Sequence, residues 1–113
     1  MSDSVLLSTK QLLGISPEDT SFDLNVLVNI NTALTILMDL GLTVVEDKIV
    51  TDDKMTWDDL LGGRTDIEYV KTYVYQKVKM IFDPPTSTAA IDAMQRSISE
   101  LEWRICNNGR EQV

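Results

Sequence analysis

The chain has 113 residues, with 18 acidic and 10 basic side chains, a net charge of −8, no histidine and one cysteine. A chain of this length forms one domain that buries roughly two-thirds of its surface, and without histidine it lacks the commonest general base and metal ligand. The lone Cys106 excludes an internal disulfide and fits a reducing cytosol. The excess of acidic residues disfavours binding to nucleic-acid phosphates. No segment approaches the ~20 apolar residues that a membrane span needs, and none resembles a leader. We therefore expect a small acidic domain that binds or assembles.

Leucine-rich residues 3–13 predict a first helix that ends at Gly14, a residue typical of helix C-termini. Ser16 to Asp19 predicts a cap followed by proline in a first helical turn, with acids where the helix dipole favours them. The main helix is predicted from about Phe22 to Leu40, before Gly41.

At ~100° per residue the apolar side chains of this main helix form one broad arc, which predicts the central core helix. Asparagines, threonines and Asp39 occupy most of the other side. The arc consists of Phe22, Val26, Leu27, Ile30, Ala33, Leu34, Leu37 and Met38.

Short β-branched pieces at 42–45 and 48–50 predict a minimal hairpin or two extended segments. Thr56 followed by Asp59 has the pattern of a helix cap with an acid three residues on, which predicts one or two helical turns anchored by Trp57 and ended by Gly62-Gly63.

Two long helices are predicted in the second half of the chain. The first is capped by Asp66 and ends near Phe82, where Asp83-Pro84-Pro85 forbids continuation. The second starts at Thr86, Ser87 or Thr88 and runs to about Cys106. This divides the chain into one helical domain, 1–106, and a polar C-terminal tail, 107–113, expected to be mobile.

The helix that ends at Phe82 carries two apolar stripes. Tyr69, Tyr73 and Met80 form the second stripe, rotated roughly 120° from the first at the helical period. The second stripe is either the solvent-exposed edge of a broad core face or part of a protein–protein contact. Tyrosine and methionine are enriched in the cores of such contacts. The first is a core stripe of Ile67, Val70, Val74, Val78 and Ile81.

The last helix carries a packing seam with a tryptophan opposite it. Trp103 projects near Asp92, Arg96 and Ser99, so it either packs under a neighbouring segment or contacts a partner. The seam has 3-4-3-4 spacing and consists of Ile91, Met94, Ile98, Leu101 and Ile105.

Acidic residues are the only candidates for chemistry. Asp52, Asp53, Asp58 and Asp59 lie within eight positions, and clustered carboxylates can hold Mg²⁺ or Ca²⁺. Their spacing matches no calcium loop, and capping of a helix by Asp58 and Asp59 with a solvated turn at Asp52 and Asp53 explains them without a metal. No nucleophile motif or phosphate-binding glycine loop is present, so we expect no catalytic residues, cofactor or metal.

Four segments carry a further signal when they are taken in order. They are Thr56-Trp57-Asp58-Asp59-Leu60-Leu61-Gly62, Val70-Lys71-Thr72-Tyr73-Val74-Tyr75-Gln76-Lys77-Val78, Phe82-Asp83-Pro84-Pro85-Thr86-Ser87 and Glu100-Leu101-Glu102-Trp103-Arg104. In this order the segments resemble the head–tail connector family of tailed bacteriophages, also described as DNA-packaging or head-completion proteins. The resemblance covers about residues 22 to 104 and is densest from 56 to 104.

The resemblance implies a virion protein of the phage neck, present in the host cytoplasm during assembly. It implies a closed ring of about twelve subunits that docks beneath the portal, continues the DNA channel and receives the next head-completion or tail protein. DNA would pass through without specific binding, and no membrane is involved. The resemblance carries no catalytic residues over.

From the residues and the resemblance together we expect a mostly α-helical bundle of three main helices plus short helices. Tyr69, Tyr73, Met80 and Trp103 are the candidate contacts to other subunits or virion proteins. The predicted core consists of Ile30, Leu34, Leu37, Val70, Val74, Ile98 and Leu101.

Two functions from other classes stay open. A DNA-binding packaging subunit would need a basic face, and only Lys71, Lys77 and Lys79 cluster. A metal-dependent hydrolase would use the acidic loop.

Residues 39–68 hold nine acids against three basic residues, so this third of the chain carries −6 of the total −8. Solubility and helix capping explain this excess without a further function. In a ring, however, carboxylates on the channel wall would repel the duplex and let it slide. We therefore expect the loop around Asp52 and Asp53 to face the channel.

Overall fold

The computed structural model describes residues 4–40, 50–62 and 67–111, with side chains up to residue 106. These residues form a mostly α-helical bundle, as predicted, and within them the only β pairing is an isolated antiparallel bridge between Ser4 and Thr56. The predicted hairpin at 42–50, Gly41, Gly63 and Asp66 fall outside or largely outside the described residues. The helices are α1 (Val5–Leu13), α2 (Asp23–Asp39), α3 (Trp57–Leu61), α4 (Ile67–Phe82) and α5 (Thr88–Glu111).

Helix α4 organises the bundle, because it contacts α1, α2 and α5, whereas α5 packs mainly on α4. Phe22 lies edge-on against Phe82 at 5.3 Å between ring centroids, which brings the start of α2 to the end of α4. Tyr73 donates a hydrogen bond to Glu102, and Tyr69, one turn earlier on α4, lies beside Arg104, which comes later on α5. α5 therefore runs antiparallel to α4, as α2 does.

The predicted core is confirmed. Leu37 and Val74 have no exposed surface, and Val50 and Trp57 join the same cluster from the segment between α2 and α4. The seven predicted core residues, Ile30, Leu34, Leu37, Val70, Val74, Ile98 and Leu101, are all buried.

The predicted helix ends are confirmed where local chemistry sets them. Gly14 adopts φ +81° after α1, in the left-handed region that a side chain would strain. Thr56 and Asp59 form the predicted capping box, in which the Thr56 hydroxyl accepts from the Asp59 amide at 3.0 Å and Asp59 Oδ2 accepts from the Thr56 amide at 3.1 Å. Ser87 caps α5 by accepting from the Ala90 amide at 3.0 Å.

The anchoring role of Trp57 is also confirmed. Its ring is buried, and its Nε1 donates to Ser8 Oγ at 3.0 Å, which ties α3 to α1.

Two predicted helix boundaries are wrong. Ser16 to Asp19 form turns instead of a first helical turn, because the carbonyls of Pro17 and Asp19 bend inward to accept from Lys10. Helix α5 does not end near Cys106, since its backbone stays helical to Glu111 and no proline interrupts it.

Two members of the predicted apolar stripes lie at the surface. Phe22 and Ile81 are exposed although their helical phase points to the core. Both lie at the same end of the bundle, where the start of α2 meets the end of α4 through Phe22 and Phe82.

Candidate interaction surface

Tyr69 and Arg104 form an exposed pair where α5 lies against α4. The exposed Trp103 precedes Arg104 in the sequence of α5, and we call these three residues the aromatic surface. Trp103 is 64% exposed and Tyr69 is also exposed, so both predicted contact residues lie outside the core. The Arg104 guanidinium carbon lies 6.0 Å from the centroid of the Tyr69 ring, a cation–π distance.

Glu100 orients the cation of this surface. Arg104 Nε donates to Glu100 Oε2 at 2.8 Å, one helical turn away on α5. This hydrogen bond, together with the Glu100 charge and the neighbouring Tyr69, raises the pKa of Arg104 above its ordinary value. Glu100 therefore holds the guanidinium in place beside the Tyr69 ring.

Tyr73 does not belong to this surface, because it lies in the core, as expected if the second stripe is part of a broad core face. The side chain is fully buried, and its hydroxyl donates to Glu102 Oε2 at 2.7 Å. Burial, reinforced by the bond to Glu102, strongly raises the pKa of Tyr73. α5 covers this flank of α4, so Tyr73 joins two helices of one subunit.

Met80 lies between the core and the surface. It is half-buried and lines a shallow groove between α4 and α5 with Ile81 and Ile98. Its thioether packs against the core cluster from outside, so only part of the side chain is available to a partner.

The candidate channel acids Asp52 and Asp53 are both exposed in the loop before α3. Asp52 Oδ1 accepts from the Lys54 amide at 2.9 Å, which makes this loop a side-chain-stabilised turn as expected of aspartate in such positions. Asp58 and Asp59 are exposed in the first turn of α3. Nowhere in the described ranges do three acidic or cysteine side chains gather in a group able to hold a metal ion.

Sequence reasoning missed a second exposed apolar surface, on α2. Leu24 is 74% exposed and Val28 is 55% exposed, and they lie one turn apart with Thr32 following. We call these three residues the α2 outer face. Helical phase alone would have revealed it, since Leu24 and Val28 lie roughly 120° and 160° from the centre of the core arc.

It also missed the buried ammonium of Lys10. Nζ lies 2.7 Å from Asp23 Oδ1, 2.8 Å from the Asp19 carbonyl and 3.3 Å from the Pro17 carbonyl, with only 1% of the residue exposed. A lysine in the last turn of a helix is typically exposed to solvent and interacts favourably with the helix dipole. The sequence therefore carries no signal for the burial of Lys10.

In the part of the chain that the structure describes, no helix is both long and apolar enough to cross a bilayer. Comparisons with curated proteins and with solved structures found no match. A family model described as phage connector protein matches residues 5–112, nearly the whole chain. This match confirms the resemblance seen in the sequence, and the chain belongs to the phage connector protein family.

Proposed function

We propose that this protein is a ring-forming subunit of the phage neck that docks on the portal, continues the DNA channel and joins the head to the tail. Family membership implies a virion component that contacts portal and tail proteins in general. The observation that carries the finer proposal is the aromatic surface, because tryptophan, tyrosine and arginine are the residues that concentrate binding energy at interfaces.

The position of the aromatic surface supports a role in assembly. α5 packs mainly on α4, and the side of α5 opposite that contact carries exposed residues. Trp103 projects from that side with Asp92, Arg96 and Ser99, all of them exposed. A buried tryptophan would stabilise the monomer, whereas one with 64% of its surface exposed gains most from covering by a partner.

The mass of the purified protein, alone and mixed with its portal, tests this function. We expect a closed oligomer in at least one of the two conditions. Trp103→Ala should leave the monomer folded, by circular dichroism and thermal unfolding, and weaken assembly or docking by about 2 kcal/mol or more. Leu12→Ala is the matched control, because Leu12 is 56% exposed on α1.

A Trp103→Ala chain that unfolds would place the tryptophan in the structural core. A wild-type chain that stays monomeric both alone and with the portal would contradict the ring. A folded variant that assembles as well as the Leu12→Ala control would show that assembly does not use Trp103.

We further propose that Asp52 and Asp53 face the channel of the ring. Both are exposed, and the carboxylates of such a loop would repel duplex phosphates over roughly a Debye length, ~8 Å at physiological salt. Asp53→Lys should give rings that retain DNA through a salt-dependent contact, whereas Glu18→Lys, which changes charge equally at another exposed site, should not. Equal DNA retention by both variants, or carboxylates on the outer rim of an assembled ring, would contradict this placement.

The lysines of α4 give little support to a DNA-binding subunit. Lys71 pairs with Glu68 at 3.3 Å and Lys79 pairs with Asp83 at 3.6 Å, so two of the three clustered lysines have an acidic neighbour. We expect no mobility shift of duplex DNA by the free protein at physiological salt.

A further inference from the structure

The α2 outer face is uncharged in a strongly acidic chain. No ionisable residue occurs from Leu24 to Met38, although the whole chain carries −8. The hydroxyl of Thr32 donates to the Val28 carbonyl at 2.9 Å, so its proton is already used within the helix. An exposed surface that is apolar and free of charge has the composition of an interface core.

The outward side of α5 is also neutral, although it carries charges. Asp92 and Glu100 are balanced by Arg96 and Arg104 around the exposed Trp103. This side therefore presents one large aromatic group within a ring of compensated charges, which is the arrangement of a hot spot surrounded by a polar rim.

We propose that these two surfaces bind each other between neighbouring copies of the chain, with Trp103 of one subunit seated on Leu24 and Val28 of the next. The proposal rests on the proposed function, since it names the partner surface within the ring. Two different patches that meet head to tail form a heterologous contact, and such a contact closes into a ring when the rotation between subunits allows it.

The charge distribution permits a second copy as the occupant of the α2 outer face. Two chains that each carry −8 repel one another, and like charges brought together in an interface cost further free energy. The α2 outer face carries no charge, and the acidic and basic residues on the outward side of α5 are equal in number. These surfaces can therefore meet without adding to the repulsion between two acidic chains. The acidic stretch 39–68 could not meet its own copy in this way.

A mixing experiment distinguishes a heterologous contact from other arrangements. Val28→Asp blocks the α2 outer face and keeps Trp103, whereas Trp103→Asp blocks the other side and keeps the α2 outer face. Each variant alone should be monomeric under conditions in which the wild type assembles, with its self-association weakened at least about 100-fold by the unpaired buried charge. Their mixture retains one intact contact and should stop at a species of two chains, measured by analytical ultracentrifugation.

Controls keep the proposal falsifiable. Circular dichroism checks that each variant is folded, and Leu24→Asp and Arg96→Glu replace either variant that is not. Leu12→Asp introduces the same charge at an equally exposed leucine on α1 and should assemble like the wild type.

Assembly by Val28→Asp or Leu24→Asp as good as that of the wild type would overturn this inference and leave the ring intact. Two monomeric variants whose mixture also stays monomeric would overturn the pairing of these two surfaces. A wild-type chain that never assembles, alone or with the portal, would contradict the proposed function and this inference with it.

Discussion

Replacing Lys10 by methionine tests how the turn between α1 and α2 is held. The ammonium has three oxygen neighbours: Asp23 Oδ1 at 2.7 Å and the carbonyls of Asp19 and Pro17 at 2.8 and 3.3 Å. Lys10→Met keeps most of the buried hydrocarbon but leaves these acceptors without a donor. A hydrogen bond to a charged group contributes about 1.5–3 kcal/mol, and loss of one partner of a buried ion pair costs about 3–5 kcal/mol.

Two effects reduce this cost. The Asp23 side chain is partly exposed although its Oδ1 is buried, so water can solvate part of the carboxylate. Methionine also avoids the desolvation of an ammonium. We therefore expect Lys10→Met to lower the free energy of unfolding by about 2–4 kcal/mol. Urea unfolding, followed by circular dichroism and by the fluorescence of the buried Trp57, measures this loss.

Lys79→Met is the matched control. Lys79 pairs with Asp83 at 3.6 Å, and most of the Asp83 side chain is in solvent, so its loss should cost less than about 1 kcal/mol. Surface substitutions typically change the free energy of unfolding by less than about 0.5 kcal/mol. A loss of that size in Lys10→Met would show that the ammonium does not hold the turn.

Three further outcomes follow from burial and charge. Leu37→Ala should cost about 2–5 kcal/mol by chemical denaturation, because Leu37 is fully buried, whereas Leu24→Ala should stay within about 0.5 kcal/mol; equal losses would refute the core assignment. Because burial raises the pKa of Tyr73, the folded state favours the neutral phenol. The free energy of unfolding should therefore fall as pH rises above about 10, and it should fall less steeply in Tyr73→Phe. Identical alkaline stability profiles of the two proteins would contradict this. Because every subunit is acidic, assembly should strengthen between low and physiological salt, and a ring that dissociates as salt rises would show that attractive ion pairs dominate its contacts.

The helices could be predicted because their signals are local. Apolar spacing fixes which side of α2 is buried, and Gly14, Thr56 and the Pro84-Pro85 pair set helix ends within a few residues of their own position. Each of these features acts through backbone geometry or hydrogen bonds inside one element.

The surfaces were harder to predict because they depend on neighbours. Helical phase places Tyr69 and Tyr73 on the same flank of α4, but only the position of α5 decides that Tyr73 is covered and Tyr69 is not. The burial of Lys10 likewise depends on a turn that returns two carbonyls to the end of α1. Apolar periodicity gives the direction in which a side chain points from its helix, but it does not say which other element packs there.

The buried lysine and the α2 outer face are connected through the start of α2. Asp23, which binds the ammonium of Lys10, is the first residue of α2, and Leu24 is the second. The ion pair therefore fixes the start of α2 against α1, next to the residue that is most exposed on the α2 outer face. A rigid apolar surface loses less conformational entropy on binding than a mobile one. In the proposed contact between copies, the buried ion pair would therefore help the uncharged α2 outer face to bind the next subunit.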